Sequence, residues 1–372
     1  MGLILIRYGE IGLKGRNRSY FVHRLRLNIR DCLRRNGLTG EVFSQGQRLY
    51  VTTQDAEAAM PHLQRVFGIV SLSPVRAVPL DMEAITAEAL AVAQEVGVGP
   101  EKTFRMATRR GLKGFPLTSP QVNARVGERV KQSTGAEVDL SDGADATIGV
   151  EIREDQAMVF AEAFRGPGGL PLNSQGRVVA LISGGIDSPV AAWLMMKRGC
   201  GVAPLHFTQS ETETAKALDN CAALDRYGYG WRVKPLVLSH HEVMIPIVER
   251  LRGLKADRWT CLFCKHAMLR KAAQLAEEIG AGAIVTGENL GQVASQTLMS
   301  LEMISLGIGK PILRPLIGHD KEDIMTLARS IGTFDISTRE AQPCPFLPRT
   351  VVAIGEMAKW VELREQMLDV LP

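Results

Sequence analysis

Two groups of residues in this chain have types and spacing suited to chemistry. The first is the run Ser183-Gly184-Gly185-Ile186-Asp187-Ser188. Paired glycines let backbone N–H groups approach an anion, serine hydroxyls add donors, and a following helix N-terminus brings partial positive charge, so the run suits phosphate. The bland alternative is a glycine-rich turn with a capping serine. The second group is Cys261-Leu262-Phe263-Cys264 with the distant Cys344 in Gln342-Pro343-Cys344-Pro345-Phe346. Three such thiols can hold a metal. They can also form a redox set in which Cys344 carries a persulfide and another cysteine resolves it as a disulfide. Zinc would want a fourth ligand, for which His266 is the nearest in sequence. Cys32, Cys200 and Cys221 lie singly in helix-like or apolar contexts and read as packing residues.

The elements that must position the first group are legible on both sides of it. The apolar run 178–182 predicts a strand, and 189–198 predicts a helix with Ser188 as N-cap, Pro189 at the first helical position and Gly199 closing it. No G-x-x-x-x-G-K-[ST] occurs in the chain, so the loop is not a Walker A motif. Beyond Arg177, β and α signals alternate. Strands are predicted at 178–182, 202–207, 233–238 and 283–286, and helices at 189–198, 211–226, 242–252, 265–279, 291–302 and 320–331. This is the pattern of a doubly wound parallel sheet, which binds ligands at the carboxyl ends of its strands. The glycine loop, His206-Phe207 and Thr286-Gly287-Glu288 all fall at such ends.

Upstream, the pattern is α+β. A strand at 3–7, a basic glycine loop at 9–18, a helix at 20–35, a turn at Asn36-Gly37 and a strand at 48–52 are followed by a further β/α unit through 66–70. Then come an amphipathic stretch at 82–96, a basic strand at 103–110, a helix at 119–133, and a hairpin of 146–152 with 157–161 turning at Arg153-Glu154-Asp155. Gly166-Pro167-Gly168-Gly169-Leu170-Pro171 punctuates the chain as an interdomain linker. Net charge is +4 over 372 residues. Residues 1–50 hold ten Lys/Arg against three Asp/Glu, which leaves the remainder at −3. That imbalance points to a polyanionic partner, nucleic acid foremost, against the alternative of a solvated arginine-rich helix face. The apolar runs are too short to cross a membrane, and Met1–Ile6 leads into Arg7 and Glu10 without a signal-peptide pattern, so a cytoplasmic protein is expected.

The Ser-Gly-Gly-x-Asp-Ser loop resembles the pyrophosphate loop of ATP pyrophosphatases, which cleave ATP between its α and β phosphates. Five segments together resemble the tRNA 4-thiouridine synthetases, or tRNA sulfurtransferases. They are Tyr8–Asn17, Pro116–Asn123, Gly166–Pro171, Leu181–Ala192 and Thr286–Thr297, which span nearly the whole chain in the family's order. The resemblance implies a ferredoxin-like domain at 1–57, a THUMP domain at 58–165, a linker at 166–176 and an α/β PP-loop pyrophosphatase domain at 177–372. It implies that the first two domains bind tRNA. The third binds ATP, adenylates O4 of a uridine, at position eight by family analogy, and replaces that oxygen with sulfur. It further implies that Leu181, Ile182, His206, Phe207, Lys265, Gly287 and Gln296 line the nucleotide site. Ser183, Gly184, Gly185, Asp187 and Ser188 hold the pyrophosphate, with Asp187 acting through Mg²⁺. A homodimer with tRNA spanning both subunits and a share in thiamine thiazole synthesis are also family properties. The alternative function is a pyrophosphatase of the same superfamily acting on another tRNA base or a small-molecule acceptor. A third class, a tRNA-binding module without turnover, conflicts with the intact loop.

Two departures from the rhodanese-bearing members bear on sulfur. The sequence ends at Pro372 soon after the pyrophosphatase domain, so sulfur is expected to arrive from sulfide or a persulfide carrier. The cysteines 261, 264 and 344 resemble the iron–sulfur branch of tRNA thiolation enzymes, in which three thiolates hold a [4Fe–4S] cluster and leave one iron free. The expectation is that this iron holds hydrosulfide. Zinc, or no metal with a persulfide on Cys344, are the alternatives.

Overall fold

The computed structural model describes residues 2–161, 163–293, 296–340, 342–352 and 356–372. The chain divides into two units, Met1–Gly169 and Leu170–Pro372.

The first unit is built on a nine-stranded sheet. Its order is Gly40–Gln45, Arg48–Thr53, Gly2–Arg7, Ser71–Val78, Ala157–Phe160, Ala146–Ile152, Thr103–Arg110, Glu137–Val138, with Phe164–Arg165 added to Ser71–Val78. The helix Arg18–Arg35 buries Phe21, Leu25, Ile29, Cys32 and Leu33. That helical spacing fixes one face toward the sheet; of its six arginines, Arg30 and Arg34 are exposed and Arg18, Arg24, Arg26 and Arg35 are half-buried. The strand Ser71–Val78 joins two sub-sheets. Residues 71–75 pair antiparallel with Gly2–Arg7, and 76–78 pair with Ala157–Phe160. Ala146–Ile152 pairs in parallel with Thr103–Arg110 and antiparallel with Ala157–Phe160. Its last five residues are all buried, so the expected alternation of inside and outside is replaced by a strand covered on both faces. The strand Gly40–Gln45, partnered by Arg48–Thr53, has no sequence-level prediction behind it.

The second unit carries a five-stranded parallel sheet in the order Leu236–Ser239, Gly201–Thr208, Arg177–Leu181, Ala283–Val285, Ile312–Leu313. The chain runs outward from Arg177–Leu181 in one direction and returns to its other side at Ala283–Val285. A crevice opens outside the carboxyl ends of strands where the winding reverses, and this is where such folds take ligands. Several boundaries differ from the sequence reading. The third strand forms only over Leu236–Ser239, because Pro235 lacks an N–H for the ladder. The helix expected at 265–279 begins at Thr260, and that expected at 291–302 begins at Leu298, with residues 294 and 295 outside those described. Ile312–Leu313, Phe334–Ser337 and Met357–Gln366 are elements too short or too weakly patterned to be read beforehand. The core gathers Val179, Leu205 and Phe207 of the sheet with Leu262, Phe263 and Trp360.

Candidate active site

The glycine loop leaves Arg177–Leu181 and enters the helix Asp187–Lys197. Ser188 was expected to cap this helix, but it lies inside the first turn, and the N-cap position is Ile186. The Ser188 hydroxyl instead ties the loop to itself. It accepts the Ser183 N–H at 2.9 Å and stands 3.0 Å from the Ser183 hydroxyl, which in turn accepts the Gly185 N–H at 3.2 Å. Two glycines lie in close quarters without a positive φ, and of these Gly287 meets backbone, which cannot swing aside, whereas Gly184 meets the movable end of a side chain. A Cβ on Gly184 would lie 2.6 Å from the Glu213 carboxylate, and one on Gly287 would lie 2.7 Å from the Ser188 backbone nitrogen. Gly287 thus presses the end of Ala283–Val285 directly against the loop's helix. Gly199 closes that helix at φ +90°, as the sequence indicates.

Around the loop stand charged groups from distant parts of the chain. Asp187 pairs with Lys321 at 2.6 Å and accepts a hydrogen bond from the Gln292 amide at 3.3 Å. Glu288 is buried and receives Arg314 at 2.8 Å, Lys265 at 3.6 Å and the Thr286 hydroxyl at 3.1 Å. Buried His206 donates its Nδ1–H to the Ile182 carbonyl at 2.8 Å, which leaves Nε2 as the acceptor facing the Thr214 hydroxyl at 3.3 Å. Burial lowers its pKa, so the ring is neutral near pH 7. Ile182 is buried at the strand end, where its N–H bonds the Leu205 carbonyl, and Leu181 is half-buried. The Phe207 side chain is a core residue beneath the strand ends. Gln296 closes a turn by accepting the Gly291 N–H at 2.9 Å, and its own side-chain oxygen is buried without a partner among the described residues. Lys321 and Arg314 were not singled out from the sequence, and Glu288 was noted only as part of a segment at a strand end. They are ordinary charged residues whose meaning appears only when the fold brings them to the loop.

The three cysteines lie in the same unit. Cys261 and Cys264 sit in the first turns of the helix Thr260–Glu278, which begins ahead of the expected start at Lys265. Burial pushes both thiols up, and the neighbouring Cys344 adds to the shift in each; Cys264 is raised to about 12. The buried His240 brings Nε2 to 3.2 Å from the Cys264 sulfur, and Phe346 packs edge-on to both His240 and His241. His266, the zinc candidate, is elsewhere. Its Nδ1–H is given to the Ile304 carbonyl at 2.9 Å, and its ring meets the edge of Trp360. Among the described residues no three His, Cys, Asp or Glu side chains stand in a metal-binding arrangement. Cys32, Cys200 and Cys221 are buried, as packing residues should be.

This arrangement has close counterparts among known proteins. Residues 173–369 match the family described as thiamine biosynthesis protein (ThiI), residues 3–73 the ThiI ferredoxin-like domain, and residues 80–162 the THUMP domain. A probable tRNA sulfurtransferase of Methanocaldococcus jannaschii is 43% identical over 98% of this chain and 97% of its own length. One from Thermococcus kodakarensis is 41% identical over 98% of this chain and 95% of its own. Among solved structures, a 4-thiouridine synthetase–RNA complex with bound ATP aligns at TM-score 0.86 and 30% identity, covering 100% of this chain and 95% of that one. PH1313 from Pyrococcus horikoshii aligns at TM-score 0.71 and 30% identity, covering 89% of this chain and 100% of that one.

Proposed function

This chain belongs to the ThiI family of tRNA sulfurtransferases, and from that membership we propose how its residues divide the work of ATP-dependent tRNA thiolation. The observation that carries the reading is the Ser183–Ser188 loop, set at the point where the parallel sheet reverses its winding.

The carbonyl oxygen O4 of a uridine is a poor leaving group. Attack of that oxygen on the α-phosphate of ATP releases pyrophosphate and leaves the base joined to AMP. A sulfur nucleophile can then add at C4 and expel AMP. Most of the catalytic demand is to position the triphosphate and neutralise its charge. The loop's N–H groups and the start of the helix Asp187–Lys197 are assigned to the β and γ phosphates. Gly287 keeps the second strand end close enough to complete the cradle. Leu181, Ile182, His206, the Phe207 backbone, Lys265 and Gln296 are assigned to the nucleotide side, and Lys321 adds positive charge beside Asp187.

A carboxylate beside a triphosphate is repulsive unless a cation intervenes, so Asp187 suits Mg²⁺ held jointly with phosphate oxygens. Cys261, Cys264 and Cys344 offer the donor chemistry of an iron–sulfur cluster. Buried thiols whose thiolates would repel one another are poor nucleophiles unaided, and metal coordination is what would deprotonate them. When bound, such a cluster supplies an iron with a position free for an exogenous sulfur ligand. Hydrosulfide as donor, uridine eight as acceptor and a dimeric assembly complete the proposal.

The test uses protein purified without oxygen and supplied with tRNA, ATP and sulfide. tRNA-dependent pyrophosphate release and mass detection of thiouridine are expected in the wild type. Both should fall by at least a hundredfold in Asp187→Asn. Pyrophosphate release that is indifferent to this change would overturn the loop assignment. Iron and acid-labile sulfide that disappear in Cys261→Ala support the cluster. Zinc alone makes the triad structural, and an empty site moves sulfur to a persulfide on Cys344, which a persulfide carrier in place of sulfide would load and a second cysteine would resolve as a disulfide.

A further inference from the structure

Against the Gly185 carbonyl of the glycine loop lies a second polar set that the sequence did not announce. The Ser337 hydroxyl donates to the Gly185 carbonyl at 3.1 Å. The same oxygen accepts a hydrogen bond from the Asn220 amide at 3.1 Å. Asn220 is fully buried and Ser337 nearly so, at 0% and 7% exposure. A hydroxyl has one proton to give. The Asn220 carbonyl is farther away, at 3.5 Å, so the proton goes to Gly185. Asn220 belongs to the helix Glu211–Asp225 and Ser337 to the short helix Phe334–Ser337. Lys216 of the first helix also donates to the carbonyl of Arg339, two residues past the end of the second, at 3.0 Å while paired with Glu213 at 3.0 Å.

The consequence follows from peptide geometry. In a planar trans peptide the C=O and the next N–H point in opposite directions. With the Gly185 carbonyl drawn toward Ser337, the Ile186 N–H is directed away from it. That N–H has no acceptor among the described residues. Glycine itself resists a peptide flip only weakly. A flipped carbonyl would present an oxygen to the phosphates and remove a donor from them. We propose that Ser337, oriented by Asn220, is a positioning residue that locks the Gly185–Ile186 peptide with its N–H available to the pyrophosphate portion of ATP. The proposal rests on the assignment of the Ser183–Ser188 loop to the phosphates.

The experiment compares binding of pyrophosphate, AMP and ATP to the full chain by calorimetry. Ser337→Ala is expected to weaken pyrophosphate and ATP about tenfold, as loss of one positioning hydrogen bond allows, while AMP changes less than about twofold. The melting temperature reports that the variant is folded. Adding Asn220→Ala to Ser337→Ala should cost little further pyrophosphate affinity, because Asn220 acts through the hydroxyl. Unchanged pyrophosphate affinity in Ser337→Ala, or an equal loss for AMP, overturns the inference. A wild type that binds neither ATP nor pyrophosphate would instead overturn the loop assignment itself.

Discussion

At the scale of single residues, the phosphate loop was legible because its chemistry is local. Two glycines, two serines and an aspartate between a strand and a helix signal an anion cradle within six consecutive positions. What was not legible is what holds the cradle in shape. Lys321 is 134 residues from Asp187, and Ser337 is 152 residues from Gly185; no spacing rule reaches so far. Ser188 shows how a correct residue can be given the wrong task. Its hydroxyl binds the Ser183 N–H instead of capping the helix. Gly287 gives the most direct test at this scale. An added methyl would meet the backbone at Ser188 N and Asp187 C at 2.7 and 2.8 Å, and backbone cannot swing aside as a side chain can. Gly287→Ala should therefore displace the start of the loop's helix and weaken pyrophosphate at least tenfold, through a packing cost of about 1–3 kcal/mol. Calorimetric titration with pyrophosphate checks this, and wild-type affinity in the variant would contradict it.

At the scale of elements, periodicity located the long helices and most strands. It failed where an element is two to four residues long or where tertiary packing extends a helix backwards. Thr260–Cys264 shows the second failure, since the helix was expected to begin only at Lys265. The strand Ala146–Ile152 shows a different limit: its alternation was visible, but the charged residue in it is buried. Glu151 is 1% exposed and receives Arg7 at 3.4 Å, Arg48 at 3.3 Å and Arg153. These three arginines come from three different strands or turns, so the carboxylate fastens Gly2–Arg7 and Arg48–Thr53 to the hairpin. Burial alone would raise the Glu151 carboxyl, yet the guanidiniums of Arg48, Arg153 and Arg7 outweigh it and hold the group below its ordinary range. A depressed folded-state pKa adds stability above the unfolded value, about 4.3, and loses it as pH falls through the folded value below that. Glu151→Gln should therefore destabilise the first unit by roughly 3 kcal/mol at pH 7, a melting shift of about 10 °C. The gap between variant and wild type should narrow as pH drops below about 4. Thermal melts at pH 7 and pH 3 decide it; a gap of equal size at both would show that the charge of Glu151 is not what fastens the strands.

At the scale of the whole molecule, the charge imbalance read from the sequence acquires a location. Of the ten basic residues in 1–50, Arg7 and Arg48 serve Glu151, Lys14 pairs with Glu10, and Arg34 and Arg35 face Asp31. Arg26 and Arg30 donate to the Val42 carbonyl and so keep their charge unneutralised. Arg16, Arg18 and Arg24 have no ion pair among the described residues. The arginine-rich helix is thus neither wholly internal nor wholly solvated. Part of its charge holds the fold together, and part remains for a polyanion. Since neutralising phosphates releases counterions, tRNA affinity should fall steeply with salt, whereas AMP affinity, governed by the second unit, should not. Reversing two of the uncommitted charges, Arg16→Glu with Arg18→Glu, should weaken tRNA binding at least tenfold and lower the log–log salt slope by about two. Pyrophosphate affinity should stay at the wild-type value, because neither side chain belongs to the Ser183–Ser188 site. Filter binding of tRNA across a salt series, beside pyrophosphate calorimetry, separates the outcomes. An unchanged slope would assign these arginines to solvent and place the phosphate contacts elsewhere in the first unit.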